Sequence, residues 1–330
     1  MPFDPPTMRA ISQDSYGEPE RVLRYEEIPV PAIGAGDVLI RMRATSVNTP
    51  DWATVIGVPY ILRLAVGLRR PKLPVRGSDV SGVVEAVGEQ VTDLVPGDEV
   101  FGSARATFAE YVVAQAAQLV KKPAGLGFTD AAACVMTGLT ALTAMRDVAH
   151  VQAGTRVLIN GASGGVGTMA VQIAATLGAE VTGVCGPGHA ELVRSLGAHR
   201  VIDYAREDFT DGRSRYDVVL DNVLNHPPKA TARILAPGGL LIPNSLGYTG
   251  RLLAGLPRTA RAVLMGLGRT KVRTVTPKVN RENLTALLRL LEPGQIRVII
   301  DRAYPLDQAA QAVAQVLEHH ASGKVAITAS

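Results

Sequence analysis

The chain has 330 residues, of which 47% are hydrophobic and 19% charged. This length predicts two domains rather than one ordinary core, and the composition excludes disordered and fibrous proteins. The formal net charge of +4 is smaller than a dedicated nucleic-acid binder usually carries, so we expect no nucleic-acid partner.

The cysteine content and the first residues of the chain are used to predict the cellular compartment. Cys134 and Cys185 are the only cysteines, which excludes a disulfide framework and a four-cysteine metal site. The first residues lack the basic and apolar regions of a secretory signal, and no stretch approaches the roughly 18 apolar residues of a membrane span. We therefore expect a cytoplasmic protein without stable membrane insertion.

The first part of the chain reads as short strands separated by glycine and proline. The clearest strand patterns cover residues 37–47, 82–88, 98–102 and 108–114. They predict a twisted antiparallel sheet or a small barrel. Near Thr129 a long alanine-rich segment begins, with no strand alternation, and we expect a second domain to start there.

The rest of the chain alternates strand and helix patterns, which predicts a parallel sheet with right-handed crossovers. After Asn280 a helix, a strand, a second helix and a last strand follow. Periodicity alone leaves two alternatives for this tail, which either closes the second domain or returns to complete the first.

Residues 249–270 form a basic segment longer than a loop needs. Its apolar stripe predicts a surface helix that packs on the core through Ala260, Val263, Leu264 and Leu267. Two alternatives are a lid over an apolar substrate and a contact with a membrane surface.

A glycine-rich turn follows the apolar strand pattern over residues 156–160. The turn, residues 161–167, leads into a helix whose apolar positions share one face. A pyrophosphate must approach backbone N–H groups at a helix N-terminus, where a Cβ would obstruct it. The sequence therefore predicts a dinucleotide site, with cofactor contacts from Asn160, Ser163, Gly164, Gly165 and Val166.

The stretch 184–189, at the end of the second strand, decides which dinucleotide is favoured. NAD sites usually carry an acid there to bind the ribose 2′-hydroxyl, and this stretch contains none. A 2′-phosphate would meet no charge repulsion, which favours NADPH as the cofactor. The candidate phosphate partners are His189, Arg194 and Tyr204.

Seven segments together resemble the medium-chain dehydrogenase/reductase superfamily. Within it the chain is similar to the zinc-less quinone oxidoreductases, including the branch of the reticulon-interacting mitochondrial oxidoreductase. The resemblance covers nearly the whole chain and depends on residues 44–52, 76–102, 107–113, 134–142, 157–167, 193–204 and 322–328.

The resemblance implies an α/β fold in two domains. A GroES-like, β-rich substrate domain would comprise residues 1–128 and 283–330, with a Rossmann domain of doubly wound parallel sheet, residues 129–282, inserted between its two parts. The active site would lie in a cleft between the domains. The resemblance also implies a homodimer paired through the nucleotide domains, with the strand over residues 271–276 taking part.

The zinc branch of this superfamily would need a cysteine ligand within residues 46–51 and a histidine after Gly77. Asn48 and Ser78 stand at those positions, and a catalytic zinc needs three protein ligands. We therefore expect no metal, and a structural role for Asp79.

Site residues are also implied by the resemblance. Asn48 and Tyr60 would line the substrate side as the catalytic pair, with Tyr60 offering a proton or hydrogen bond to a developing oxyanion. The remaining implied residues would contact the cofactor at its nicotinamide end or form the wall that closes the site. They are Thr137, Asn222, Asn244, Lys324 and Val325.

Without a Lewis acid, a hydride donor is poorly suited to reducing a simple ketone, whereas an electron-poor acceptor delocalises the incoming charge. We therefore expect an NADPH-dependent, zinc-independent reductase of a quinone or another activated conjugated carbonyl compound, which is a small-molecule substrate. Two alternatives are a zinc-less enoyl thioester reductase, with the basic residues 251–281 serving a coenzyme A phosphate, and a nucleotide-binding protein with little turnover. The second alternative follows from unusual residues at 186–189 and 221–224.

Overall fold

The computed structural model of the chain describes residues 6–245, 256–268, 270–292, 294–318 and 321–329. The chain divides into two compact units. The first unit contains Met1–Met136, Lys278–Glu292 and Ile300–Ser330, and the second contains Thr137–Pro277 and Pro293–Ile299. The tail therefore belongs largely to the first unit. The expected division after residue 128 lies at the start of a helix that continues through the unit boundary, and the expected division after residue 282 lies inside a helix of the first unit.

Fifteen strands and ten α-helices lie within the described residues. The strands are β1 (Thr7–Gln13), β2 (Leu23–Pro29), β3 (Asp37–Ser46), β4 (Asp79–Val87), β5 (Glu99–Ser103), β6 (Tyr111–Gln115), β7 (Leu119–Lys121), β8 (Arg156–Asn160), β9 (Glu180–Cys185), β10 (Arg200–Asp203), β11 (Tyr216–Asp221), β12 (Leu235–Pro243), β13 (Lys271–Val272), β14 (Ile300–Pro305) and β15 (Lys324–Thr328). The helices are α1 (Pro19–Val22), α2 (Thr49–Ile56), α3 (Arg63–Val66), α4 (Phe128–Leu142), α5 (Gly165–Thr176), α6 (Ala190–Ser195), α7 (Pro228–Ala232), α8 (Leu256–Met265), α9 (Arg281–Leu291) and α10 (Ala309–Leu317).

The first unit is built on a seven-stranded sheet in the order β14-β15-β3-β4-β5-β7, with β6 also paired to β3. All pairs in it are antiparallel except β14 with β15. Strand β3 alternates between covered and exposed positions, and Val38, Ile40 and Met42 are almost fully buried. This period of two places one face on the hydrophobic core. The antiparallel sheet confirms the predicted β-rich first domain.

The second unit has a six-stranded sheet in the order β10-β9-β8-β11-β12-β13, with every pair parallel. Residues Val157, Leu158 and Ile159 of β8 are fully buried, as expected for a strand covered on both faces. The chain leaves β8 toward β9 on one side and later returns to β11 on the other. Ligands bind outside the carboxyl ends of the strands at such a switch point. The predicted Rossmann domain is confirmed.

The expectation that no stretch approaches the length of a membrane span was wrong. One described helical stretch, Phe128–Val148, is long and apolar enough to cross a membrane by length and composition, although 72% of its most apolar window is buried inside the protein. That degree of burial is typical of a core helix of a globular domain.

Helix α8 differs from the expectation for the basic segment. Ala262 is the fully buried residue of α8, whereas Val263, Leu264 and Leu267 of the predicted stripe are exposed. The prediction that this stripe packs on the core was therefore wrong. The helix packs against α7 and β13. Residues 249–255 and 269 of this segment lie outside the described residues.

Candidate functional site

The glycine-rich turn lies at the carboxyl end of β8, where the chain passes into α5. Gly161 has a φ of +74°, a left-handed conformation that side chains other than glycine rarely adopt. A Cβ at Gly167 would lie 2.0 Å from the carbonyl oxygen of Gly161, inside any permitted contact. Glycine at both positions is therefore required for the helix to pack this closely on the strand.

Gly164 has a different role in the same turn. It is the N-cap residue of α5 at a φ of −79°, and a Cβ there would meet nothing closer than the Gly161 oxygen at 3.6 Å. Packing does not require glycine at this position. Its missing side chain leaves the surface before the helix N-terminus open, where the first N–H groups of a helix lack intrahelical partners. This backbone cradle fits the pyrophosphate of a dinucleotide cofactor.

Three predicted asparagines form a chain of hydrogen bonds at the carboxyl ends of β8, β11 and β12. The Asn244 Nδ2 donates to Asn222 Oδ1 at 2.8 Å, and the Asn222 Nδ2 donates to the Asn160 carbonyl at 3.1 Å. Asn160 is itself almost fully buried. The structure therefore brings these three residues together with the glycine turn, on one edge of the sheet.

Asp221, at the end of β11, holds this edge together and was missed as a site residue by the sequence reasoning. It is fully buried, and its Oδ1 accepts hydrogen bonds from the Asn160 Nδ2 at 2.8 Å, the Leu224 N–H at 2.8 Å and the Val223 N–H at 3.2 Å. The signal in the sequence is an acid that directly ends an apolar strand. These hydrogen bonds fix the backbone that follows the strand.

Two predicted phosphate partners lie around the loop after β9. The His189 N–H donates to the Gly186 carbonyl at 3.1 Å in a 3-10 turn, and the Tyr204 N–H donates to the Cys185 carbonyl at 3.2 Å. Tyr204 is 61% exposed, and its hydroxyl lies 3.2 Å from the position a Cβ would take at Gly186. Both residues therefore lie at the carboxyl end of β9, and the Tyr204 hydroxyl lies beside the loop.

Two opposite charges also act at this strand end. Burial raises the pKa of the Cys185 thiol, the Asp203 carboxylate raises it further, and the Arg194 guanidinium lowers it. Asp203 ends the neighbouring strand β10 and forms an ion pair with Arg206 at 3.6 Å. Arg194 thus supplies a positive charge near the loop, while the acid nearby already has a partner.

The first unit contains a buried polar cluster around Asp79. The Asp79 carboxylate is fully buried, and its Oδ2 accepts hydrogen bonds from Ser46 Oγ at 2.5 Å and Asn48 Nδ2 at 2.7 Å. Among the described residues its Oδ1 has no hydrogen-bond partner. Burial raises the pKa of Asp79, while Lys324, Asn48 and Ser46 lower it. Asp79 is therefore a structural anchor of this cluster.

Lys324 supplies the positive charge of the cluster. Its Nζ donates to the Asn48 Oδ1 at 2.6 Å and to the Val47 carbonyl at 2.8 Å, and it lies 4.0 Å from the Asp79 Oδ2. The remaining amide hydrogen of Asn48 points to Ser78 Oγ at 3.2 Å. An ammonium on one side and a carboxylate on the other fix the orientation of this amide. Every polar atom of the Asn48 side chain therefore has a partner inside the first unit.

Asp51 links this cluster to helix α2. Its Oδ2 accepts the Asn48 backbone N–H at 2.8 Å, which caps the helix from its third residue. Burial raises the pKa of Asp51 to about 7, and the neighbouring Asp79 charge raises it too, while the Asn48 N–H and Lys324 lower it. Sequence reasoning missed this role, although an acid three residues after an asparagine is a known capping pattern.

The other predicted residues lie in different surroundings. Tyr60 is 39% exposed, and its ring stacks on the Arg63 guanidinium at 4.6 Å. Val325 is buried in β15, where its carbonyl accepts the Val47 N–H at 3.0 Å. Thr137 is 5% exposed within α4, at the start of the second unit.

The residues at the expected zinc positions do not suit that metal. Asn48 and Ser78 lie side by side, yet they present an amide and a hydroxyl instead of a thiolate and an imidazole. The Lys324 ammonium bonds the same amide, and a fixed cation there repels a second one. Across the described ranges, no group of three or more histidine, cysteine or acidic residues is placed to hold a metal ion.

Comparison with known proteins gives two family matches. Residues 34–124 match the alcohol dehydrogenase GroES-like domain, and residues 196–327 match a family described as zinc-binding dehydrogenase. The second description names a metal, and the expected zinc positions Asn48 and Ser78 lie outside the stretch that it matches.

Relatives and solved structures match over almost the whole chain. A mitochondrial NAD(P)H oxidoreductase of Mus musculus is 33% identical, and the match covers 95% of this chain and 87% of the relative's length. The quinone oxidoreductase structure from Coxiella burnetii has a TM-score of 0.86 at 29% identity, covering 98% of this chain and 100% of its own.

The Escherichia coli quinone oxidoreductase in complex with NADPH has a TM-score of 0.82 at 25% identity, covering 97% of this chain and 99% of its own. With the relatives above, these likenesses make the chain an oxidoreductase enzyme with a nicotinamide cofactor and a small-molecule substrate. The chain belongs to the medium-chain dehydrogenase/reductase superfamily, in its quinone oxidoreductase branch.

Proposed function

We propose that the protein is an NADPH-preferring, zinc-independent reductase that transfers hydride to a quinone or another activated conjugated carbonyl compound. The observation that carries the proposal is the open glycine cradle before α5, next to a strand β9 that ends without a carboxylate. The reduced nicotinamide supplies the hydride when it is bound.

The preference for NADPH is supported by charges around the loop after β9. Arg194 is exposed and close enough to influence the Cys185 thiol, so a 2′-phosphate there gains a cation. Asp203, an acid that acts on the same thiol, forms an ion pair with Arg206. Tyr204 adds a hydroxyl beside the loop. The NADPH complex of the Escherichia coli relative supports the same preference.

Zinc independence is supported by the donor set at Asn48 and Ser78 and by the ammonium of Lys324 bonded to that amide. Without a metal to polarise an isolated carbonyl, the favoured acceptors are those that delocalise the negative charge formed when hydride is added. The names of the quinone oxidoreductase relatives support a quinone as one such acceptor.

In this proposal the chain's own residues bind the cofactor phosphates and orient the nicotinamide and the substrate. The N–H groups at the start of α5 bind phosphate oxygens, and Asn222 and Asn244 present a fixed amide edge to the nicotinamide side. Asn48 can offer its amide hydrogen to a substrate oxygen by giving up the longer bond to Ser78 Oγ. The Tyr60 hydroxyl is proposed as a second donor.

An acceptor panel tests the substrate class. NADPH oxidation is followed with a benzoquinone, a simple enone and crotonyl-CoA, each at the same concentration and with a chelator present. We expect the benzoquinone to give the largest kcat/KM. Activity with crotonyl-CoA alone would identify an enoyl thioester reductase, and thermal stabilisation by NADPH without turnover would identify a nucleotide-binding protein.

The cofactor preference is tested with an Arg194→Ala variant. We expect the Kd for NADPH to rise and the Kd for NADH to stay unchanged, because only NADPH carries the 2′-phosphate that this side chain would bind. Arg213→Ala, which removes an exposed arginine paired to Asp211, is the matched control.

We propose a homodimer through the edge strand β13. This strand pairs with β12 on one side and ends the parallel sheet, so its other edge offers backbone groups to a second copy. Analytical ultracentrifugation tests it, with a monomer at micromolar concentration as the contrary result.

A further inference from the structure

A segment of the first unit, residues 60–73, presents large apolar side chains to solvent. The exposed fraction is 46% for Ile61, 71% for Leu64, 66% for Leu68 and 47% for Leu73. Folded proteins seldom leave several such side chains exposed within one short segment unless the surface binds something. We call residues 60–73 the apolar-basic segment.

The exposure is fixed by folded contacts in this segment. The Arg63 guanidinium lies between the Tyr16 ring at 4.4 Å and the Tyr60 ring at 4.6 Å, and its Nε donates to the Gly57 carbonyl at 2.9 Å. The Tyr16 hydroxyl donates to the Gly67 carbonyl at 2.6 Å. These contacts hold the 3-10 turn Tyr60–Leu62 and helix α3 in place while the apolar side chains point outward.

The charge along the sequence of this segment has one sign. No aspartate or glutamate occurs between Asp51 and Asp79, and this stretch carries five basic residues, namely Arg63, Arg69, Arg70, Lys72 and Arg76. Arg69, Arg70 and Lys72 are exposed next to Leu68 and Leu73. A partner for this surface must therefore offer an apolar phase and negative charge together.

We propose that the apolar-basic segment docks the protein on the surface of a lipid bilayer that contains anionic lipids. The leucine side chains enter the boundary between headgroups and acyl chains, and the arginine and lysine side chains lie among the lipid phosphates. A second copy of this chain is disfavoured as occupant, because a two-fold contact through this segment would place the same positive charges opposite each other.

Co-sedimentation with vesicles tests the proposal on the full chain. One set of vesicles contains phosphatidylglycerol and phosphatidylcholine in equal parts, and the other contains phosphatidylcholine alone. We expect binding to the anionic vesicles only, and its loss when added salt shortens the Debye length from about 30 Å to about 3 Å.

Paired variants locate the contact. Leu64→Glu with Leu68→Glu should lower the partition onto anionic vesicles by about tenfold or more, because two charges then enter the apolar contact. The matched control is Leu264→Glu with Leu267→Glu, which makes the same change at two leucines that are 63% and 85% exposed on a second basic segment. The control should bind as the unaltered protein does, and both variants should keep its thermal midpoint, since all four side chains are exposed.

Three results would overturn the proposal. They are no binding to anionic vesicles at low salt, equal loss of binding in both variants, and a change in oligomeric state in the Leu64 and Leu68 variant. The last result would assign the segment to contacts between copies of the chain.

Discussion

The cradle before α5 and the cluster around Asp79 use opposite means to build a site. The cradle consists of backbone, and it depends on atoms that are absent, since a Cβ at Gly167 would lie 2.0 Å from a carbonyl oxygen. The cluster consists of side chains, and it depends on charges that are present, with Lys324 balancing a fully buried Asp79. The cradle should therefore fail when atoms are added, and the cluster should fail when a charge is removed.

The largest effect is expected from Lys324→Met, which tests the charge balance. Removing the ammonium leaves the Asp79 carboxylate and the Asn48 Oδ1 without their cationic partner, and breaking a buried pair in this way costs about 3–5 kcal/mol. Urea denaturation measures the change in the free energy of unfolding.

The double variant Lys324→Met with Asp79→Asn is the control for that measurement. Because it removes both charges, it should recover a large part of the lost stability. A single variant as stable as the unaltered protein would show that the cluster does not depend on this charge.

The second effect is a dependence of stability on pH through Asp51. Its pKa is about 7 in the folded protein and 3.8 without the fold, so the folded state binds the proton more tightly. The resulting stabilisation is complete below about pH 4 and is lost as the pH rises through about 7, by at most about 4 kcal/mol.

The Asp51→Asn variant isolates this contribution. Its side chain stays neutral and can still accept the Asn48 N–H, so its free energy of unfolding should fall less between about pH 4 and about pH 7 than that of the unaltered protein. Asp79 and Lys324 face the same carboxyl and remain in both proteins, so the difference between the two pH profiles reports Asp51. Parallel profiles would contradict the assignment.

The smallest effect on stability concerns the cradle, and it separates two glycines. Gly167→Ala adds a methyl group against the Gly161 carbonyl, which should lower the free energy of unfolding by about 1–3 kcal/mol. Gly164→Ala meets only an ordinary contact at 3.6 Å, so stability should hardly change.

Nucleotide affinity should distinguish the same two glycines in the opposite order. Gly164→Ala should weaken NADPH binding on the order of tenfold, about 1.4 kcal/mol, because its methyl group enters the space for the pyrophosphate. Isothermal titration measures this change. Unaltered affinity in Gly164→Ala would show that phosphate does not approach the turn at this residue.

The sequence predicted the cradle better than the cluster, for a physical reason. A buried strand, a glycine turn and an amphipathic helix are consecutive, so residues 156–177 carry the whole pattern locally. In the cluster, Asp79 and Lys324 are brought together by strands β4 and β15, which lie far apart in the chain. No local period reports such a pairing, and the resemblance assigned Lys324 to the cofactor without showing its bond to Asn48.

Helix α8 illustrates a second limit of sequence patterns. Its apolar stripe was identified, yet Ala262 became the buried residue and the larger side chains remained exposed. Periodicity shows that a helix has two faces, but the partner element decides which residues are covered. For the same reason, the exposed leucines of residues 60–73 could be recognised only once the fold was known.

A single-turnover experiment tests whether the protein transfers hydride from NADPH to a quinone without a metal. The protein is freed of metal with a chelator and mixed with stoichiometric NADPH and a benzoquinone, and the loss of reduced nicotinamide absorbance is followed against a reaction without protein. We expect rapid, chelator-insensitive oxidation of NADPH, and slower oxidation when NADH replaces it. Oxidation that requires added zinc, that is faster with NADH, or that fails to exceed the reaction without protein would contradict it.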